Sequence, residues 1–451
     1  MFKTLKNAWR IPELKKKLLF TLLIIVLYRL GANIPVPFVN PEAIKSSTDI
    51  FGSGILQYLN ILSGEALSKA TLLALGVSPY ITASIVMQLL TIAIPPLERL
   101  SKDGENGRKK ITAITRIVTV ALALVTSIGY AIFLANTNNE LGQPMLLVKP
   151  NFFQYAIIVS CYCAGAALVM WLAEKINDHG IGNGISMILF ANIIAGFYSM
   201  ALSIWSLATN ESLRDALGNV FGGAVSIALA IFEILLIIGI IVIIVRMNDA
   251  ERRIPIQYAK RVVGRKMYGG QNTNLPIKVN MSGVMPIIFA NSIVSIPATI
   301  VGFMSGTNGF KNFVDKFFNY NTWLYVVVFL VLLIAFAYFY VAISFNPVEV
   351  ANNIKSNGGA IPGIRSGRPT VDFIKKVLNR ITLVGALLVA LIAVFPLIVN
   401  IVTGYFEATA GLFTALAFSG SSMMIVVGVA LETVRELEAQ MSLRNYKGFL
   451  D

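Results

Sequence analysis

The sequence predicts an all-α polytopic membrane protein with ten transmembrane helices in two halves of five. Three observations lead there. The 451 residues are 56% hydrophobic and 13% charged, which fits a lipid-embedded chain better than a soluble globular one. Ten apolar stretches each approach the roughly 20 residues that cross a bilayer as a helix. Lys and Arg gather on every second connection. A membrane barrel would require strands of alternating polarity, and these stretches show none.

Residues 1–17 are a polar tail ending in Lys15, Lys16 and Lys17. Nothing in them reads as a cleavable leader, so the first apolar run, 18–36, stays as a span. Arg29 lies near enough to its end to snorkel. Between Gly31 and Leu72 comes the least regular part, in which Ile55, Leu56, Tyr58, Leu59, Ile61 and Leu62 form an apolar patch between glycine-rich flanks. Too short to cross, this patch lies at the interface or folds back into a protein-lined cavity. The second span, 73–96, carries Ser78, Pro79, Thr82, Ser84 and Gln88. Spans three to five occupy 112–135, 153–173 and 184–207, with Arg116 near the start of the third. Cys161 and Cys163, two apart in the fourth, point to different helix faces and read as packing residues.

An external segment, 207–221, joins the halves and holds the sequon Asn210-Glu211-Ser212. Spans six to ten run over 222–245, 282–304, 322–345, 380–400 and 411–431, followed by a tail, 432–451. The seventh is rich in small and polar residues: Ser282, Gly283, Pro286, Asn291, Ser292, Ser295 and Pro297. Such residues allow close helix approach and interhelical hydrogen bonds. Five spans per half start the second half from the opposite face, an arrangement compatible with inverted repeats.

Charge sets the orientation. The N-terminal tail, the connections after the second, fourth, sixth and eighth spans, and the C-terminal tail, with Arg116 and Arg380 at the adjoining span ends, together collect 30 of the 37 Lys and Arg residues. That face is cytoplasmic by the positive-inside rule, with both termini inside. The net charge of +14 is therefore first an orientation signal. Two basic loops, 246–279 and 346–379, are long enough to reach past lipid headgroups toward a cytoplasmic partner.

Chemistry-bearing residues are sparse. Glu233 is the one charge near the middle of a span, and a structural role suits it better than a relay. Gly180, Gly182 and Gly184 lack the strand and Lys of a phosphate-binding turn and read as a hairpin between helices. With a single His, His179, and no metal-ligand spacing, neither a metal site nor a nucleophile–base pair can be assembled, so catalysis is set aside and no cofactor is expected.

Five stretches taken together resemble the SecY/Sec61-alpha family of protein-translocase channel subunits. They are Leu75 to Ile85, Gly104 to Lys110, Gly180 to Ser186, Lys278 to Val284, and Pro362 to Arg365, in the family's order and among ten spans. The resemblance implies two pseudo-symmetric inverted five-helix halves around a central hourglass pore. The family's pore ring carries over to Val77, Ile81, Ile185, Leu189, Ile288 and Ile425, with Val77 and Leu189 where isoleucine is common. The plug carries over to a segment of about 54–70, comprising Gly54, Ile55, Leu56, Tyr58, Leu59, Asn60, Ile61, Leu62, Ser63, Gly64, Glu65 and Lys69. The mouth between the second and seventh spans implies a lateral gate of Thr82, Ile85, Gln88, Asn291, Ser292 and Ser295, with Thr82, Gln88, Asn291 and Ser295 as a hydrogen-bonded seam.

Lys260, Arg261, Arg265 and Lys266, with Arg365 and Arg368 on the second loop, would meet the SecA motor ATPase or the ribosome. Further implied partners are SecE-like and SecG-like small subunits, signal peptides and nascent chains as substrates, the lipid bilayer, and SecDF-like and YidC-like accessory proteins. The implied location is the bacterial plasma membrane. The rival readings are a secondary transporter with an inverted-repeat fold, which would need paired polar groups at the midplane, and a non-conducting scaffold with no axial path.

Overall fold

A computed structural model describes residues 2–40, 54–137, 144–147, 151–209, 221–258, 261–263, 266–268, 272–302, 309, 313–314, 322–404 and 419–447. The chain opens with α1 (Phe2–Arg10), so the expected N-terminal tail is partly helical. Ala8 on α1, Leu14, Ile181 and Leu437 form a small cluster that seats this helix on the C-terminal one. α2 (Pro12–Gly31) starts at Pro12, whose missing N–H costs nothing in a first turn. After α3 (Gly54–Ser63) comes α4 (Ser78–Ala93), which has Pro79 in its first turn and starts five residues later than expected. Pro95 and Pro96 stop α4, and α5 (Pro95–Lys102) leaves at an angle of 101°.

α6 (Gly104–Asn136), α7 (Phe152–His179) and α8 (Gly184–Ala208) complete the N-terminal half. α7 opens on a capping box in which Asn151 and Gln154 satisfy each other's backbone N–H groups. The turn into α8 is the expected glycine hairpin. Gly182 has φ +81°, and a Cβ on Gly184 would run into the Ala173 carbonyl.

The second half comprises α9 (Phe221–Asp249), β1 (Glu251–Tyr258), β2 (Arg261–Val263), β3 (Lys266–Tyr268), β4 (Asn272–Lys278), α10 (Met285–Gly302), α11 (Trp323–Ser344), α12 (Pro347–Ser356), β5 (Gly359–Ala360), α13 (Arg368–Gly404) and α14 (Ser419–Lys447). Each of the ten expected stretches overlaps one helix. Among the described residues, six helices are long and apolar enough to cross a membrane, or seven with α4 and α5 taken as one bent span. α2 and α14 are poorer in apolar residues because Lys15 to Lys17 and Glu432, Arg435 and Glu436 extend them beyond their greasy parts. The all-α expectation needs one addition: the two long basic loops hold a sheet of order β4-β1-β5 and a β2-β3 hairpin.

Packing follows the division into halves. α6 lies on α7 and α4, and α2 and α8 on α7, while α11 joins α10 to α13 and α14 packs on α13 and α9. The halves meet where α8 touches α9 and α14 and where α4 touches α10. One apolar core runs through both, from Ile24 and Val169 on one side to Leu333 and Val389 on the other.

Candidate functional site

The six aliphatic side chains of the ring that the resemblance implies come from four helices. Val77 is the N-cap residue of α4 and Ile81 lies four residues on. Ile185 and Leu189 repeat that spacing on α8, so each pair stacks along one face. Ile288 comes from α10 and Ile425 from α14. Val77, Ile81, Leu189, Ile288 and Ile425 are buried members of one cluster, and the half-buried Ile185 packs against it. These side chains carry no hydrogen-bonding groups, so the cluster they belong to offers water and ions nothing in exchange for their hydration shells.

α3 touches α8 on one half and α10 on the other. For Gly54, Ile55, Leu56 and Tyr58 only the helical backbone is described. Further on, Leu62 packs on the central core and Leu59 against a second cluster that contains Leu67. The chain reverses at Gly64 and Glu65, both with φ near +65°. Asn60 holds the reversal: its Oδ1 accepts from Ser68 N–H at 2.9 Å and its carbonyl from Glu65 N–H at 2.8 Å. Ser63 accepts from Leu67 N–H at 3.1 Å. Glu65 pairs with Lys69 at 3.2 Å and accepts from Ser199 Oγ on α8 at 3.1 Å. Ile61 is half-buried beside these groups.

Two tyrosines fasten the backbone beyond the reversal. Tyr130 on α6 donates to the Leu67 carbonyl at 2.6 Å, and Tyr162 on α7 to that of Ala70 at 3.4 Å. On α2, Arg29 does not snorkel as expected. It turns inward and donates to the carbonyls of Gly64 and Ala191, each at 3.2 Å.

At the α4–α10 contact, Ile85, Ser292, Ser295 and Asn291 are buried, Thr82 is half-buried and Gln88 is exposed. Thr82 donates to Ser78 carbonyl at 3.1 Å, Ser292 to Ile288 carbonyl at 2.7 Å and Ser295 to Ser292 carbonyl at 2.8 Å, all within their own helices. The amide nitrogen of Asn291 finds no partner among the described residues. Beside the seam opens an apolar cavity of about 200 Å³, bounded by Leu62 and Leu67 of the plug segment, Val77 and Ile81 of the ring, Leu122 and Val125 of α6, and Ser295 and Ile296 of α10.

Helices that share one apolar core, with α3 in contact with α8 and α10, are the frame in which the chain compares with known proteins. The sequence profile of SecY matches residues 71–434. Over 457 aligned residues the chain is 42% identical to the protein translocase subunit SecY of Streptomyces galbus, covering 100% of both chains. It is 40% identical to the SecY subunit of Bacillus licheniformis over 453 residues, again covering 100% of both.

The chain belongs to the SecY family.

Solved structures share the fold at lower identity. One, of a SecY protein whose plug domain stabilises the closed state of the translocation channel, superposes with a TM-score of 0.61 at 17% identity, covering 96% of each chain. Another, of a protein-conducting channel, gives 0.55 at 17% identity, covering 95% of this chain and 96% of that one.

Within the SecY fold the two long basic loops share one base. β5, after the eighth span, pairs with β1, after the sixth, through Gln257–Ala360 and Tyr258–Gly359. Gly359 is required there, because a Cβ would meet Tyr258 Cε1 at 2.9 Å. Arg261 and Lys266 lie in the β2-β3 hairpin, whereas Lys260 and Arg265 fall outside the described residues, as do the sequon and 210–220 of the join. Arg365 and Arg368 are exposed on a turn that Thr370 holds by donating to the Arg365 carbonyl at 2.9 Å. At the inner edge of the base, Arg435 donates to Asp249 at 2.8 Å. Burial, with help from the Arg435 guanidinium, pushes the Lys278 ammonium below its ordinary range.

Glu233 is buried on α9, a helix that contributes no residue to the ring. No group of His, Cys, Asp and Glu that could hold a metal ion occurs among the described residues. The residues that sequence reasoning missed are polar side chains that hold the 54–70 segment, Asn192, Tyr130 and Tyr162, with Tyr28 accepting from Asn192. A Tyr or Asn inside an apolar run is a faint signal, since lipid-interface and packing roles use the same residues.

Proposed function

We propose that this chain is the pore-forming subunit of a protein-conducting channel that passes unfolded secretory chains across the bacterial plasma membrane and releases hydrophobic segments sideways into lipid. The observation that supports the reading is that aliphatic side chains from α4, α8, α10 and α14 belong to one apolar cluster, with α3 packed on α8 and α10. Such a ring seals against ions at rest, yet it has no fixed geometry to lose and can close around an extended peptide of any sequence.

In this reading the segment of about 54–70 is the plug, and Thr82, Ile85, Gln88, Asn291, Ser292 and Ser295 border the lateral gate. The termini and basic loops face the cytoplasm. The channel has no catalytic residues, and its driving energy comes from partners. A SecA-like ATPase or a translating ribosome docks on Arg261, Lys266, Arg365 and Arg368 with Lys260 and Arg265, where guanidinium groups suit phosphate or carboxylate. SecE-like and SecG-like subunits clamp the halves, and SecDF-like and YidC-like proteins assist.

Depleting the chain from its cells tests the proposal. Precursors with uncleaved signal sequences should accumulate in the cytoplasm while membrane-protein insertion fails. Undisturbed export, with loss of uptake of a small solute instead, would overturn the channel reading in favour of a transporter.

A further inference from the structure

We infer that Arg29 is a positioning residue of the gate, tying the plug to the ring-bearing helix α8 so that the two move together; the inference rests on the channel reading above. The geometry lies at the C-terminal end of α3. A helix end leaves its last carbonyls without intrahelical partners and carries partial negative charge, so a cation placed there is favourable. Here the cation comes from another helix. Arg29 Nη1 donates to the carbonyl of Gly64, the residue just past α3, at 3.2 Å, while Nη2 donates to the carbonyl of Ala191 on α8 at 3.2 Å.

The neighbouring residues repeat the bridge. Asn192 Nδ2 donates to the Leu62 carbonyl at 2.6 Å and to Tyr28 Oη at 2.9 Å. Arg29 of α2 and Asn192 of α8 thus hold the Gly64 and Leu62 carbonyls, and each donor also bonds to the other's helix, at Ala191 and Tyr28. The fit has no slack. Gly64 stands at φ +65°, and a Cβ on it would lie 2.6 Å from Arg29 Nη1 and 2.8 Å from Asn192 Oδ1.

Ala191 lies two residues past Leu189 of the ring. One guanidinium therefore spans the seal and its backing segment, and its rigid fork makes the two bonds interdependent. If α8 swings outward as a peptide enters, Arg29 cannot keep both carbonyls, and the plug's last turn loses a charge-assisted bond in a half-buried setting. Loosening the plug then follows from widening the ring.

The test uses the full-length chain in vesicles from cells expressing each variant. Resting ion conductance is recorded in planar bilayers, and export of a reporter with a crippled signal sequence is measured in the cells. Arg29→Gln should leak ions at rest and raise export of the crippled reporter about tenfold, at unchanged protein level. Arg29→Lys, which keeps the charge without the fork, should fall between. Should Arg29→Gln fail to accumulate, Gly64→Ala serves, since it leaves the guanidinium in place and blocks its seat; the same leak is expected. Ile81→Asn is run alongside. A tight, fully selective Arg29→Gln or Gly64→Ala beside a leaking Ile81→Asn would overturn the Arg29 assignment, whereas a tight Ile81→Asn would overturn the channel reading beneath it.

Discussion

At Ile81 and Ile425 a single polar atom tests the proposed seal. Both side chains are buried in an apolar cluster, where an amide is costly to bury and favours water. Ile81→Asn and Ile425→Asn should each raise resting ion leak and admit weak signal sequences; planar-bilayer recordings showing unchanged closure in both variants would count against the seal. A second prediction concerns backbone contact. A Cβ on Gly165 would run into the Leu72 carbonyl, whereas one on Gly196 meets open space. Gly165→Ala should therefore cost about 1–3 kcal/mol or more and lower the yield of monodisperse protein in size-exclusion chromatography, with Gly196→Ala neutral or slightly stabilising. Single residues were legible unevenly. The ring residues are ordinary aliphatics singled out only by family motifs around them. Arg29 was misjudged because sequence gives depth along α2 but not the side it faces, and a helix apolar nearly all round hides its inward stripe.

Among the elements, the spans were the easiest to read and the sheet of the basic loops the hardest. Long apolar runs impose helices, since lipid leaves backbone groups no other partner. β1 and β4 gave the opposite signal. Pro255 and Pro276 sit inside them and argue against a strand, and β5 is two residues long. Only the pairing of β1 with both neighbours, which buries Ile254 and Ile256 against Ile354 and Ile374, reveals why the segment is extended. That base fixes where the basic tips lie, so charge there can be changed without disturbing the fold. Arg365 is exposed, and only its carbonyl is engaged by Thr370. Arg365→Glu should leave insertion and abundance intact and weaken docking of an acidic or phosphate-bearing partner by about 2 kcal/mol or more, roughly thirtyfold or more. Co-sedimentation of vesicles with the motor ATPase or ribosomes measures this, and wild-type binding by the variant would remove Arg365 from the docking surface.

At the scale of the whole molecule, the question is which contact between the halves opens. α8 meets α9 and α14 on one side, with α9 following α8 in the chain, so this side is covalently held and suits a hinge. α4 meets α10 on the other, where no described connection joins them and the cavity of about 200 Å³ already separates parts of the facing surfaces. The hydroxyls of Thr82 and Ser292 donate along their own helices, so parting α4 from α10 need not strip them of those bonds. Small side chains and a neighbouring cavity make this seam a candidate place to part. The sequence suggested the seam through its small and polar residues but not its bonding, because a Ser or Thr in a helix can satisfy itself four residues back as readily as across an interface. Covalent closure discriminates directly. With Cys161 and Cys163 replaced by Ser, cysteines at Thr82 and Ser295, which line the same cavity, are bridged by a short bifunctional thiol reagent with a reducible arm. Bridging should abolish lateral release of a hydrophobic segment into lipid while leaving resting conductance unchanged, and reduction should restore release. Undiminished insertion through the bridged protein, read by protease protection of a model membrane protein, would move the exit to another side of the molecule.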